Sequence, residues 1–326
     1  MAASVQRWFP FDLSPAVDQV IRRVRFSWNL TDPVTAELPG EAPFWIVQRS
    51  RLDAFLIEQA TAAGAELRRG WSVSTLLRRG DLWEIQGPAG SLKAKAVAIA
   101  NGSRSELTAP LGLGSPRPRY ASTLAVDVDA AVAEADTARF DFGLVHHGFC
   151  WAFPRSSGYS IGVGTFIGRE AADGDAVLQR LLPDLGLPAE AGLRVSAPLR
   201  IWDGHHRLDG DGIVAIGDAA SLCDPFLAEG IRPALMSGTL AAGALQGWLG
   251  GNNKALAEYS QQMRHGWGES MAWGKRIAQV FYRVPKIGYQ LGIKRPTAPQ
   301  RIAQILSGEM GYGDIAQRVI KRLLFS

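Results

Sequence analysis

The chain has 326 residues, 47% of them hydrophobic and 20% charged, which excludes a disordered polymer and a membrane bundle, and no stretch approaches the ~18 uninterrupted apolar residues of a spanning helix. Its 35 Lys and Arg against 31 Asp and Glu are dispersed along the chain, which argues against nucleic acid as a partner. Cys150 and Cys223 are too few for a disulfide scaffold, and His146-His147 and His205-His206 have no carboxylate at ligand spacing, so no metal is expected. Met1 is followed by Ala-Ala-Ser-Val-Gln-Arg-Trp without the regions of a signal peptide, so the expected location is cytoplasmic. The mild positive balance also suits an anionic membrane surface.

Residues 1–20 form a turn-rich apolar lead-in. Over 20–30, Val24, Phe26 and Trp28 alternate with Arg23, Arg25 and Ser27, the period of a half-buried strand. Thr31-Asp32-Pro33 is read as a turn, and 34–38 and 44–47 as further strands of an antiparallel patch. At Arg49 the period changes: Leu52, Phe55, Leu56, Ile57 and Ala60 fall at helical spacing, with Gly64 as the stop. Short strands are expected at 65–67 and 71–73, a hairpin over 75–85, and a buried strand at 95–100 that runs into Asn101-Gly102.

Ser-Pro-Arg-Pro-Arg after Gly114 marks a boundary. Residues 120–128 alternate as a strand, and the Ala-rich 129–138 reads as helical. Over 143–166 two strands flank a turn at 155–158, and the second, Tyr159-Ser160-Ile161-Gly162-Val163-Gly164, alternates side chain with glycine. A large flat group or another strand must lie close to those glycines. A helix is expected over 171–187 up to Pro183, and a strand over 194–202.

The stretch 212–250 reads as strand, turn and helix. Ile213-Val214-Ala215-Ile216 is short, β-branched and bounded by Gly212 and Gly217; Asp218 follows, Pro225 and Gly230 punctuate a loop, and 231–249 is a helix of Ala, Leu, Met and small residues suited to close packing. The helix start at Gly230-Ile231 presents free N–H groups and a positive dipole end, which suits a phosphate or an anionic ring, with Asp218 placed to hold ribose hydroxyls. Beyond Gly250 the chain reads as helical. Trp267, Trp273, Phe281 and Tyr282 either shape a lipid mouth or cover the core, and the amphipathic segment 314–325 either docks on the domain or lies on a membrane surface.

Gly217-Asp218-Ala219-Ala220, Asp224-Pro225 and Glu229-Gly230-Ile231 resemble the second FAD fingerprint of the glutathione-reductase-like flavoproteins, in particular the geranylgeranyl reductase family, with Ser221 where Gly is usual. Arg49, Leu52, Asp53 and Leu56 are similar to the family's Arg-x-x-Leu-Asp-x-x-Leu helix, and Asn101-Gly102 stands where Asp-Gly is usual. Phe149, Trp151, Phe153 and Pro154, ahead of Gly162-Val163-Gly164, resemble its aromatic-x-Trp-x-Phe-Pro signature, with Phe149 where Tyr is frequent. The resemblance implies FAD held by Arg49, Asn101, Gly102, Gly217, Asp218, Pro225, Gly230 and Ile231, with Val73 offering backbone contacts to the adenine. It also implies an aromatic wall of Phe149, Trp151, Phe153 and Pro154 for a prenyl chain; from the residues alone, core packing accounts for the aromatics as well.

The implied fold is α/β, a glutathione-reductase-like (hydroxylase-type) FAD-binding domain with an antiparallel-sheet substrate domain and a helical C-terminal region. Its divisions fall at 1–48 (lead-in and substrate-domain strands), 49–115 (FAD-binding domain, first part), 116–204 (substrate-binding domain), 205–250 (FAD-binding domain, second part) and 251–326 (helical). A Gly-x-Gly-x-x-Gly turn between a strand and a helix is absent from the sequence. The fold is therefore expected to be N-terminally truncated, either recorded from an internal Met or a remnant. The implied activity is FAD-dependent reduction of prenyl carbon–carbon double bonds, with NAD(P)H as donor and no legible catalytic acid. The alternatives are a flavin monooxygenase and a flavin-free lipid-binding remnant.

Overall fold

The computed structural model describes residues 1–40, 43–166, 173–295 and 297–317. Strands β1 (Val17–Ile21), β2 (Arg23–Trp28), β3 (Thr31–Glu37) and β4 (Phe44–Val47) precede helix α1 (Arg49–Ala62). A meander follows, β5 (Thr75–Arg79), β6 (Leu82–Gly87) and β7 (Gly90–Ala94), and then β8 (Val97–Ile99). Strands β9 (Arg119–Asp129), β10 (Thr137–Phe142), β11 (Gly148–Arg155) and β12 (Gly158–Thr165) lead to α2 (Gly174–Asp184), β13 (Val195–Ile201), β14 (Asp209–Gly210), β15 (Ile213–Ala215) and α3 (Ile231–Leu249). Helices α4 (Ala255–Met263), α5 (Glu269–Phe281), α6 (Pro285–Gly288) and α7 (Ala298–Leu306) follow.

The largest sheet has seven strands in the order β13-β9-β12-β11-β10-β2-β3, antiparallel except for the β10–β2 pair. Strict alternation along β11 sends Cys150 and Ala152 to one face and Phe149, Trp151 and Phe153 to the other. The first face is sealed by Val177, Leu178, Leu181 and Leu182 of α2. Each such leucine contributes about 1.5–3 kcal/mol by leaving water. On the second face Phe140, Phe142 and Phe149 pack together and meet Phe281 and Tyr289 from the C-terminal helices.

The smaller sheet β14-β15-β8 carries the parallel pair, with Ala215 opposite Ile99. All of β15 is buried, and α3 lies directly behind the turn that follows it: a Cβ on Gly217 would stand 3.2 Å from the Ala234 methyl, and the Gly217 N–H donates to Ser237 Oγ at 3.0 Å. The small residues read in α3 thus permit this approach.

Several expectations need correcting. Residues 65–67 and 71–73 are irregular and, apart from the half-buried Trp71, exposed, with no partner strand among the described residues. The strand at 95–100 shortens to β8 and is an edge, with Ala98 exposed, because among the described residues only β15 pairs with it. Residues 31–33 belong to β3; the chain turns earlier, at Asn29-Leu30, where both residues take positive φ. The Ala-rich 129–138 is a loop entering β10, since Thr137 and Ala138 are claimed by pairing with β2. Pro183 lies inside α2 rather than ending it. Most of the segment 314–325 lies outside the described residues. The flat group against Gly162 is the indole of Trp151, its cross-strand neighbour, and Phe166 lies over Gly164.

Candidate functional site

Strands β8 and β15 run parallel and in register, so the turns after them, at Asn101-Gly102 and Gly217-Asp218, emerge at the same carboxyl end of the sheet. That end is where open α/β sheets take their ligands. Asp218 leaves β15 and accepts from the Arg200 N–H at 3.3 Å. Its Oδ1 lies 3.3 Å from where a side chain on Gly230 would begin, so glycine is what lets the α3 start sit against this carboxylate. Burial pushes the Asp218 carboxyl above the ordinary aspartate range, while the Arg200 N–H and the charges of Arg49 and Arg200 pull it back. Arg49, ion-paired with Asp53, thus contributes to the field that favours the Asp218 carboxylate without contacting it.

The loop between the turn and α3 is fixed by buried polar groups. Asp224 Oδ1 accepts from the N–H groups of Phe226 (2.7 Å) and Leu227 (3.0 Å), and its Oδ2 accepts from Tyr312 Oη at 2.7 Å. Trp267 Nε1 donates to the Leu222 carbonyl at 2.8 Å, and Tyr282 Oη to that of Phe226 at 3.1 Å. Helical C-terminal residues thus clamp the approach to Gly230. The α3 start has no side-chain cap, which leaves the N–H groups of Ile231 and Arg232 for another acceptor, Pro233 having none.

A cavity of about 380 Å³ opens there, lined among others by Arg49, Ile231, Trp45, Phe153, Arg155 and Ser160. Arg49 starts α1 directly after β4, and its guanidinium, 68% exposed, is held by both oxygens of Asp53 at 2.9 and 3.0 Å. The cavity therefore joins the α3 start, an arginine expected at the cofactor and one residue of the aromatic run.

The remaining expected residues are placed as follows. Gly217 is buried behind the turn, Pro225 is buried in the clamped loop, and Asn101 is exposed beside the half-buried Gly102. Val73 lies exposed in the irregular segment before β5. Trp151 is half-buried beside Phe153, ring centroids 6.3 Å apart. Phe149 is 3% exposed and packs on Phe140, Phe142 and Phe166, and Pro154 falls on the opposite strand face from Phe153; neither lines the cavity.

Two arginines went unread in the sequence. Arg200 is fully buried: Nε donates to Ser221 Oγ (2.8 Å), Nη1 to the Ser105 carbonyl and Thr108 Oγ1 (3.3 Å each), and Nη2 to the Ser115 carbonyl (3.2 Å). It ties β13, the loop after β8 and the Gly217 turn into one unit. The available signal was a charge inside the apolar run Leu199-Arg200-Ile201-Trp202. Arg155, 9% exposed, faces the cavity and binds Asp129 at 3.0 Å.

A chain of this geometry has known counterparts. The digeranylgeranylglycerophospholipid reductase 2 of Methanopyrus kandleri is 28% identical over 275 residues, which are 75% of this chain and 66% of that protein. The chain thus spans slightly less than two thirds of that relative. A geranylgeranyl bacteriochlorophyll reductase-like protein of Thermoplasma acidophilum superposes with a TM-score of 0.77 at 17% identity, covering 94% of this chain and 80% of its own. A flavin-dependent brominase superposes at 0.67 and 18% identity over 99% of this chain and 87% of its own. No family model matches. The fold is that shared by FAD-dependent oxidoreductases, and in sequence the chain is similar to digeranylgeranylglycerophospholipid reductases.

Proposed function

We propose that this chain is the larger part of an FAD-dependent reductase of prenyl carbon–carbon double bonds, with NAD(P)H as the electron donor. The observation that carries the reading is the single cavity onto which Arg49, the uncapped start of α3 at Ile231 and Phe153 all open.

The residues present fit part of an FAD. Asp218 is a half-buried acceptor suited to sugar hydroxyls, the α3 N–H groups suit the electron-rich edge of a flavin ring, and the Arg49 fork suits a phosphate. Gly230 leaves space for close approach, since a Cβ there would crowd Asp218 Oδ1. When bound, the flavin would supply the two electrons as hydride, and a proton would complete saturation of the double bond. The protein's part is to hold the alkene against the ring and keep water out. Trp45, Phe44, Ile46 and Phe153 give the cavity an apolar wall, which is what a prenyl chain needs, since it has little but apolar area to offer. Contact with a membrane, the source of a prenyl lipid, belongs to the same reading.

The test is anaerobic incubation of the chain with FAD, a reductant and a geranylgeranyl lipid, followed by mass spectrometry. A gain of two hydrogens per reduced bond is expected, with NAD(P)H replacing dithionite as reductant. A protein that takes up no FAD and leaves the lipid unchanged overturns the proposal.

A further inference from the structure

Between α5 and α7 the chain presents a surface that the cavity does not use. Val280, Val284, Ile287 and Leu291 are 68%, 44%, 56% and 56% exposed, the densest run of exposed large hydrophobics among the described residues. All four face solvent, while Phe281, Tyr282, Tyr289 and Ile293 of the same segment are buried. The inner side is firmly anchored: Tyr289 Oη donates to the Asp32 carbonyl at 2.7 Å and lies 3.2 Å from that of Phe26. The outward apolar residues are therefore held in place on a fixed scaffold.

The charge carried by this segment has one sign. Residues 270–308 contain seven Lys and Arg and no Asp or Glu. Lys294 is paired with Asp32, and Arg276 stacks on Trp273. Arg283, Lys286 and Arg295 are exposed and form no ion pair among the described residues. Exposed aliphatic side chains interleaved with unpaired cations are what an anionic lipid surface takes up, the apolar groups entering the acyl boundary and the cations meeting headgroup phosphates.

We infer that the 280–291 face docks this protein peripherally on anionic bilayers. The charge argues against a second copy in its place, because a two-fold interface would bring the same cationic patch against itself. The inference rests on the membrane contact in the proposed function and names its face and lipid charge, but vesicle binding needs no flavin, so it and the redox reading fail separately.

The experiment is co-sedimentation of the chain with phosphatidylglycerol–phosphatidylcholine vesicles and with pure phosphatidylcholine vesicles, with light scattering in parallel. The wild type is expected to pellet with the anionic vesicles and to be released by salt. The I287E/L291E variant should lose at least about tenfold in vesicle affinity. The R283Q/K286Q variant should lose the preference for phosphatidylglycerol while keeping its thermal midpoint, which guards against misfolding of the first. A wild type that stays in the supernatant overturns the inference, as does pelleting that neither variant changes. An oligomer that I287E/L291E dissolves, without vesicle binding by the wild type, assigns the face to contact between copies instead.

Discussion

Arg200 Nε donates to Ser221 Oγ at 2.8 Å in a site closed to water, and Ser221 makes this bond from a left-handed backbone, φ 59°. Where the resemblance expects glycine, the chain accepts a strained serine and obtains a partner for a buried guanidinium. Strain of a non-glycine residue there costs roughly 1–2 kcal/mol, and a hydrogen bond to a charged group contributes about 1.5–3 kcal/mol. The bond wins. We expect Ser221→Gly to destabilise by about 1 kcal/mol, and Ser221→Ala, which keeps the strain and loses the bond, by about 2–3 kcal/mol. Urea unfolding of both variants measures this; a Ser221→Gly protein more stable than wild type contradicts it.

Asp218 links stability to pH. Because burial raises its folded value, the folded chain holds this proton more tightly than the unfolded chain, and ionisation costs stability. The cost is absent below the ordinary aspartate value of 3.8 and grows as pH rises through the raised value. Asp218→Asn keeps an oxygen for the Arg200 N–H and removes the charge. We therefore expect it to raise the thermal midpoint of the flavin-free chain at pH 7, with the gain vanishing below about pH 4, and to weaken FAD uptake. A midpoint gain that persists unchanged at pH 3 would contradict the linkage.

What was legible in the sequence were the elements whose own pattern decides them. The helix at 231–249, the hairpin of β11 and β12 and the helix opened by Arg49 stand where periodicity and glycines placed them. What was not legible depended on partners distant in the chain. Residues 129–138 have helical composition, yet the strand pairing of Thr137 and Ala138 with Arg23 and Val24 overrides it. Likewise the glycines of β12 signalled a close neighbour, but only the register shows that Trp151 supplies it from within the same hairpin. Arg200 and Tyr312 act through contacts with residues of other segments, and no local spacing announces them.

Arg49 separates a cofactor residue from a surface one. Its pair with Asp53 is exposed and one helical turn apart, an arrangement that contributes about 0.3–0.5 kcal/mol. We expect Arg49→Ala to leave unfolding free energy unchanged within about 0.5 kcal/mol while FAD affinity falls about tenfold or more. Calorimetric FAD titration beside thermal unfolding reads both. Unchanged affinity would return Arg49 to the role of a helix-surface cation.

Trp151 and Gly162 form a matched pair. A Cβ on Gly162 would stand 2.1 Å from Trp151 Cζ2, so Gly162→Ala must displace the indole, at a cost of about 1–3 kcal/mol. In a Trp151→Ala background the same substitution meets no ring, and its cost is expected to fall below about 0.5 kcal/mol, a coupling that a double-mutant cycle isolates. The indole does not itself line the cavity but packs beside Phe153, which does, whereas the groups suited to the flavin lie on α1, α3 and the Gly217 turn. Trp151→Ala should therefore weaken binding of a prenyl alcohol, followed by intrinsic fluorescence, about tenfold with FAD content retained. Equal loss of both would place Trp151 in the general packing of the sheet rather than in the wall of the prenyl site.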